Sequence, residues 1–415
     1  MIEAALAHAV LKRGMTAGAF IPRRLRKGTL IHFAIDNVDF QEDAIDGKNT
    51  LHATITVAFQ PGTDQREALG PLKLDNSETG PLPTSIYDIA PYRVERRRPT
   101  FSGHVVEELN LTRVAVYKSS DVLMLLAAGL AASEAIPRSL PVWSAFNSRL
   151  NKETISPPNS IICPLPLLDA PAPEYSSLLT MMLEMEKIQR TLNGEGAPVM
   201  VAADMALYSK LLEMKLVLKK ENWIIRIGDL HAVIAMLRCL GVYIEGSGLD
   251  QVLSESCVYG PATMRQILSG SHVNRGVEAH TILASALLAL KWTSEGQQVG
   301  LPDAEILLKI ARDSDEKVFQ DLLKTVGDRL EDLRTDKSSP MNQFYSTYLN
   351  MVLLLLNYIR AVRLGDWLLH LKTLQEFFPF FFTFNRSSYA CFVPVYISMM
   401  LALKEQNPRG WEYLS

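Results

Sequence analysis

The chain has 415 residues, of which 48% are hydrophobic and 21% are charged. This composition is typical of a folded globular protein and excludes a disordered or collagen-like chain. The formal net charge of −3 at pH 7 excludes a uniformly basic nucleic-acid binder, so any contact with a polyanion has to be local.

Cysteine usage and hydropathy indicate the compartment. The four cysteines are scattered, at Cys163, Cys239, Cys257 and Cys391. Without a C-x-x-C spacing they favour a reducing compartment over structural zinc. Residues 1–10 lack the features of a secretory signal, and the most apolar runs are shorter than the roughly 20 residues that span a bilayer. We therefore expect an intracellular protein, nuclear or cytoplasmic, with no membrane partner.

The first 28 residues are predicted to form an N-terminal helix and a basic segment. The basic residues of this segment are Arg23, Arg24, Arg26 and Lys27. A second basic cluster follows at Arg93, Arg96, Arg97 and Arg98. Each cluster is open to three interpretations: a solvated loop, a contact with nucleic-acid phosphates, or a nuclear-import signal.

Three short apolar runs predict buried strands that end at an acidic residue. Asp36 follows the run 30–35, Asp204 follows the run 199–203, and Asp229 comes two residues after the run 223–227. A half-buried strand is predicted over 51–60 from its alternating pattern. The Pro- and Gly-rich stretch 61–118 predicts a long loop insertion.

Helical periodicity dominates the rest of the chain. Helices are predicted over 121–133, 176–192, 230–243, 261–268, 272–292, 303–333, 342–362, 366–377 and 387–404, with another after Asp204. The strand–helix–strand order from residue 199 to 240 is a βαβ pattern, so its two strands are expected to be parallel neighbours. We predict an α/β core over 29–245 with a mixed sheet, and a mainly helical region over 246–415.

Acidic residues at strand ends suggest metal chemistry. Neighbouring parallel strands bring their carboxyl ends together, so Asp36, Asp204 and Asp229 are expected to share one crevice. Clustered carboxylates repel each other unless a divalent cation neutralises them, and oxygen ligands suit Mg²⁺ or Mn²⁺. Two such ions about 3.5–4 Å apart can hold the attacking and leaving oxygens of a phosphodiester. The alternative is that Asp204 and Asp229 cap the helices that follow them.

Long stretches of the chain resemble an uncharacterised family of transposon-derived animal proteins. The matching segments include HFAIDNVDFQEDAIDGKNTLHATITVAFQ from His32, VMVAADMALYSKLLEM from Val199 and YLNMVLLLLNYIRAVRLGDWLLHL from Tyr348. The resemblance implies an RNase H-like core of the DDE transposase type. It implies that Asp36 and Asp204 are the first two catalytic acids, and that Asp229 and His231 lie at the next strand end. His231 is also open to interpretation as a helix-start residue bonded to the backbone.

The chain departs from the pattern of that family at several positions. Leu368 replaces an acidic residue, Asn385 replaces an aspartate and Cys391 replaces an arginine. The chain also stops at Ser415, before a polar segment that family members carry. The third metal-binding acid is therefore unassigned, and the open candidates, each also interpretable as a solvated or ion-paired helix residue, are Glu278, Asp366 and Glu376.

Three functions follow from these observations. We expect a transposon-derived RNase H-like protein that is catalytically impaired and is retained for, or descended from, metal-dependent DNA phosphodiester chemistry. An active DDE-type transposase or nuclease using Mg²⁺ or Mn²⁺ is the first alternative, and DNA is the partner of both. The second alternative is a helical protein-interaction scaffold with no role in nucleic-acid biology.

Overall fold

The computed structural model describes residues 9–16, 18–41, 50–62, 86–94, 109, 111–133, 159–299 and 338–414, and also 317, 320, 321, 323–326 and 328. The chain divides into two compact units. The first, called the sheet unit here, comprises Met1–Val105, Pro157–His231 and Ser398–Leu414. The second, the helical unit, comprises Val106–Ser156 and Ala232–Ile397, with Ser415. Each unit is thus built from segments distant in the chain, whereas the sequence predicts boundaries in chain order.

The sheet unit contains a mixed five-stranded sheet and a small two-stranded one. The small sheet pairs β1 (Met15–Thr16) with β2 (Ala19–Phe20). The strands of the large sheet are β3 (His32–Gln41), β4 (Thr50–Pro61), β5 (Ser160–Pro164), β6 (Val199–Ala203) and β7 (Trp223–Ile227). Their order is β5-β4-β3-β6-β7. β4 is antiparallel to both of its neighbours, whereas β6 and β7 run parallel to β3 and to each other.

The described helices are α1 (Thr112–Ser133), α2 (Tyr175–Asn193), α3 (Met205–Val217), α4 (Asp229–Ile244), α5 (Leu249–Glu255), α6 (Pro261–Leu268), α7 (Val273–Val299), α8 (Pro340–Leu364), α9 (Trp367–Thr383), α10 (Ser387–Gln406) and α11 (Pro408–Leu414). Residues 9–14 are also helical. The predicted helix over 303–333 lies largely outside the described residues. α2 connects β5 to β6, and α3 is the crossover between the parallel strands β6 and β7, as the βαβ pattern predicts.

Local patterns locate most strands, but two differences are informative. The predicted boundaries of β6 and β7 are confirmed, because each is an isolated apolar run. β3 continues six residues past its predicted end, since β4 pairs with it as far as Gln41. Asp36 therefore lies inside a strand, and the expectation that it follows one is wrong. β5 was not predicted, because it is a short edge strand in a Pro-rich segment whose pairing with β4 no local pattern reveals.

One face of the large sheet contributes a continuous apolar surface to the core of the sheet unit. Phe33, Ile35, Val199, Val201 and Ile225 alternate along β3, β6 and β7 and are each at most 2% exposed. β6 and β7 are also buried on their other face, where Met200 and Ile224 are 0% exposed, as is usual for parallel strands. The opposite face begins with His32, Ala34 and Asp36 on β3, because successive side chains point to opposite sides of a strand.

In the helical unit, long apolar helices pack on one another. α1 contacts α7 and α8, and α8 also packs against α9. Close approach of α1 and α7 depends on Gly129, where an added Cβ would stand 2.2 Å from the backbone oxygen of Ser285. A buried ion pair, Arg360 with Asp121, joins α8 to α1, and each side chain is 1% exposed.

Among the described helices, α10 has the length and apolar composition needed to cross a bilayer, with a mean hydropathy of 1.3. α4 and α5 meet the same criterion when taken together, although the chain bends by 92° between them. Core helices of water-soluble proteins also meet this criterion, so it does not by itself assign a membrane location.

Candidate functional site

Asp36 and Asp204 lie at the point where the parallel pairing of two neighbouring strands ends. The last parallel pair between β3 and β6 is Ile35 with Ala203. Asp36 directly follows the first of these residues and Asp204 directly follows the second. Neighbouring strands are about 4.8 Å apart, so the two backbones approach closely at the carboxyl end of β6.

Asp229 extends this edge by one more strand. Ala203 pairs with Ile227 on β7, and the next residue, Gly228, donates its N–H to the Ala203 carbonyl at 2.7 Å. Asp229 then begins α4. We call this edge, with Asp36, Asp204, Asp229 and His231, the acidic rim.

Each carboxylate of the acidic rim already has a protein partner. Asp204 accepts a hydrogen bond at Oδ1 from the Leu207 amide at 2.7 Å, as the N-cap of α3. Asp229 Oδ2 lies 3.5 Å from Arg226 Nη2. Asp204 is therefore a helix cap, as the alternative interpretation of the sequence predicts.

Asp36 and His231 are brought together by the tertiary structure. Asp36 Oδ2 lies 4.0 Å from His231 Nε2, and the two side chains are 56% and 41% exposed. The interaction with His231 is the largest influence on the Asp36 carboxyl and lowers its pKa, while partial burial acts in the opposite direction. The backbone amide of Asn37, which donates to Asp36 Oδ1 at 2.8 Å, lowers the pKa further.

Sequence reasoning missed His32, a partly buried histidine on the same sheet face as Asp36. Burial lowers the pKa of His32 to about 3, and the positive charge of Arg226 adds to this effect, while Asp229 opposes it. The same arginine lowers the pKa of Tyr413 on α11, although burial raises that pKa overall. An isolated histidine in an apolar run was the only signal for this residue, and it does not reveal the neighbouring charges.

A metal cluster is not preformed at the acidic rim. Within the described part of the chain, no group of three or more His, Cys, Asp or Glu residues is arranged to hold a metal ion. The donor set consists of one capping carboxylate and two carboxylates beside cationic or titratable side chains. This donor set does not fit a ready-made two-ion site.

The three candidates for a further acid all lie in the helical unit and have structural roles there. Asp366 caps α9 by accepting a hydrogen bond from the Leu369 amide at 3.0 Å. Glu376 Oε2 lies 2.5 Å from the buried Lys118 Nζ, and Glu376 Oε1 is 3.5 Å from Lys372. Glu278 is exposed and lies beside Tyr259, whose pKa it helps to raise. These surroundings agree with capping or ion-paired helix positions.

The basic residues near the N-terminus belong to the sheet unit. Arg23, Arg24 and Lys27 are exposed, and Arg26 is half-buried. In the second basic cluster Arg93 is exposed, and its other members, Arg96, Arg97 and Arg98, lie outside the described residues.

Comparisons with known proteins give one match. Residues 142–414 match the model of the family described as "Domain of unknown function (DUF8702)". No curated protein and no solved structure matches the chain.

Proposed function

The chain belongs to the DUF8702 family, a domain of unknown function, and we propose that it is a catalytically impaired RNase H-like protein, derived from a transposon-encoded enzyme of metal-dependent DNA chemistry. The observation that carries this proposal is the parallel pairing of Ile35 with Ala203, which brings Asp36 and Asp204, the next residue of each segment, to the same end of β6.

Sheet topology supports the RNase H-like part of the proposal. An RNase H-like sheet has a first strand that pairs on one side with an antiparallel second strand, which is itself antiparallel to the third, and that is flanked on the other side by two parallel strands. β3 has β4 and β5 on one side and β6 and β7 on the other, with the same directions. Fold alone does not imply activity, so the chemistry of the acidic rim decides the function.

The partners of the rim carboxylates support catalytic impairment. Two-ion phosphoryl transfer needs several carboxylates to converge on ions about 3.5–4 Å apart. Here Asp204 Oδ1 accepts the capping hydrogen bond of α3, which is typically worth about 1 kcal/mol, so turning this carboxylate toward an ion would cost stability. The positive charge of Arg226, 3.5 Å from Asp229, opposes a cation at that carboxylate, and the described residues contain no group of three or more ligands arranged to hold a metal ion.

An active DDE-type enzyme is the second candidate, and the register of β3 and β6 favours it. In that case Asp36 and Asp204 would hold Mg²⁺ or Mn²⁺, which would supply Lewis-acid stabilisation of the phosphodiester. His231 would then position Asp36 rather than bind DNA.

The experiment is a nuclease and strand-transfer assay on labelled duplex DNA with Mg²⁺ or Mn²⁺. The full-length chain is compared with Asp36→Asn and with Asp39→Asn. Asp39 is a matched control, because it is an exposed acid of the same strand that lies 2.6 Å from a histidine, His52. We expect no divalent-dependent product from any of the three proteins.

Two results would contradict the proposal. Cleavage that disappears in Asp36→Asn and persists in Asp39→Asn would establish the active enzyme instead. An experimental structure with Asp36 and Asp204 on non-adjacent strands would remove the RNase H-like ancestry.

A further inference from the structure

A cluster of exposed cations lies at the end of the large sheet opposite the acidic rim. Loops that enter parallel strands lie at the amino ends of those strands, so residues 21–31 before β3 and residues 194–198 before β6 share this end. We call the exposed cations there the basic end: Arg23, Arg24, Lys27, Arg190 and Arg409.

Three chain segments distant in sequence meet at the basic end, around the carboxyl end of α2. Gly28 donates its N–H to the Leu192 carbonyl at 3.1 Å, and Asn193 Nδ2 donates to the Thr29 carbonyl at 3.0 Å. The guanidinium of Arg409 lies 3.4 and 3.5 Å from the Asn193 carbonyl. The three segments that carry these cations therefore meet at one end of the sheet unit.

Buried amide side chains hold the backbone of the loop before β3, residues 21–31, in place. Gln60, 1% exposed, accepts a hydrogen bond from the Arg26 amide at 2.8 Å. Its Nε2 donates to the carbonyls of Arg26 at 2.9 Å and Thr29 at 2.8 Å. Gln189, fully buried, likewise donates to the carbonyls of Ile31 and Pro198. A loop ordered before binding loses less conformational entropy when a ligand arrives.

The dipole of α2 accounts for only some of the positive charges at the basic end. Arg190 and Arg409 lie at the carboxyl end of α2, where cations interact favourably with the helix dipole. Arg190 also lies 3.7 Å from Glu195, a weak surface pair. Arg23, Arg24 and Lys27 lie in the loop before β3, so capping of α2 does not account for them.

We propose that the basic end binds the phosphate backbone of nucleic acid. Local excess positive charge on a chain with a net charge of −3 is the electrostatic footprint of such a contact. The two ends of the sheet are separated by the five residues of β6, about 17 Å at roughly 3.3 Å per residue. A nucleic-acid strand bound at the basic end therefore does not lie over the carboxylates of the acidic rim. The inference deepens the proposed function and rests on it for the choice of nucleic acid over other polyanions.

The test measures binding of the full-length chain to fluorescein-labelled duplex and single-stranded DNA by anisotropy. The probing variant combines Arg23→Gln, Arg24→Gln and Lys27→Gln. The control combines Arg265→Gln, Arg275→Gln and Arg363→Gln, which removes the same charge from exposed positions of the helical unit. Thermal unfolding of all proteins is recorded, because every substituted residue is exposed and should leave the fold intact.

Binding by the unmodified chain is expected to weaken between about 50 and 200 mM salt, as counterion release requires. Each phosphate contact contributes about 0.9 to the slope of log K against log salt, so the probing variant should reduce the slope by up to about 2.7. The control should keep the original slope. Equal slopes for the unmodified chain and the probing variant, or equal losses in both variants, would overturn the proposal.

Vesicles containing phosphatidylserine provide a second probe. Binding to the vesicles without binding to DNA would show that the basic end serves an anionic membrane, and would overturn nucleic acid as the partner. These results are independent of the cleavage assay, because that assay depends on Asp36. If the chain cleaves DNA and its DNA binding depends on salt as expected, only the proposed function is contradicted. If the chain neither cleaves nor binds DNA, only this inference is contradicted.

Discussion

The carboxylates of the acidic rim make contacts that stabilise the fold. Asp204 caps a helix, and Asp229 neutralises part of the charge of Arg226. Of the three, Asp36 has the smallest structural role. It is about half exposed, and its partner His231 is partly exposed as well. Substituting Asp36 should therefore cost little stability, because exposed pairs of this kind contribute about 1 kcal/mol or less. Asp36→Asn is for this reason a clean probe of activity.

Stability in acid should depend on the buried residue His280. Burial lowers its pKa from 6.5 to about 4, and Nδ1 lies 3.0 Å from the hydroxyl of Tyr348. A histidine kept neutral by the fold contributes full stability above pH 6.5 and loses it as the pH falls from 6.5 to about 4. At about 1.4 kcal/mol per pH unit, the loss is about 3 kcal/mol.

The measurement is the free energy of unfolding in urea between pH 8 and pH 4. His280→Asn keeps an amide near the Nδ1 position but cannot gain a proton, so this variant should lose about 3 kcal/mol less than the unmodified chain over that range. His272→Asn, at an exposed position shortly before α7, is the control and should follow the unmodified chain. Parallel pH profiles for His280→Asn and the unmodified chain would contradict the prediction.

Helix pairing in the helical unit depends on a buried charge pair. Arg360 of α8 donates to both carboxylate oxygens of Asp121 on α1, and also to Asn357 Oδ1 at 2.6 Å. The guanidinium also lies 4.8 Å from the ring centre of Tyr117. Removing one member of a buried pair leaves an uncompensated charge in the interior, which is more costly than replacing both members by apolar residues.

Asp121→Asn should therefore lower the free energy of unfolding by about 3–5 kcal/mol. The double variant Asp121→Leu with Arg360→Met should recover most of that loss, because it leaves no buried charge. Urea unfolding measures both, with Arg363→Gln as an exposed control on α8. A double variant less stable than Asp121→Asn would show that the pair stabilises the unit by more than charge compensation.

The contact between α1 and α7 requires a glycine at position 129. Alanine favours a helix over glycine by about 1 kcal/mol, so Gly129→Ala would stabilise an isolated helix. Here the new Cβ would meet the Ser285 carbonyl and the Ala289 side chain, and overpacking typically costs about 1–3 kcal/mol. We expect a lower melting temperature, while Ala128→Ser, at an exposed position next to it, should change stability by about 0.5 kcal/mol or less.

For the whole molecule, the proposed function predicts indifference to divalent ions. An ion at about 100 times its Kd stabilises a folded protein by about 2.7 kcal/mol, so a working metal site would raise the melting temperature. Because the rim carboxylates are engaged by other groups, millimolar Mn²⁺ should leave the melting temperature unchanged. A rise abolished by Asp36→Asn but not by Asp39→Asn would instead reveal a functional site.

Local sequence patterns do not predict which chain segments make up each of the two units. α1 belongs to the helical unit although it precedes most of the sheet, and residues 398–414 belong to the sheet unit although they end the chain. Which segments group together depends on complementary apolar surfaces far apart in sequence. Hydrophobic periodicity reports only that a segment has a buried side.

The sequence by itself determined the buried strands β6 and β7, the βαβ crossover and most helices, because apolar periodicity and helix caps act over a few residues. It also identified Asp36, Asp204 and Asp229 as acids that a parallel sheet would collect at one edge. Only the tertiary structure decided the length of β3, the presence of β5 and the partner of His231. It also decided the partial burial of His32 and the pairing of Arg360 with Asp121. Strand pairing and the exclusion of water from a charge depend on residues that meet only after the chain has folded, so no local pattern could carry them.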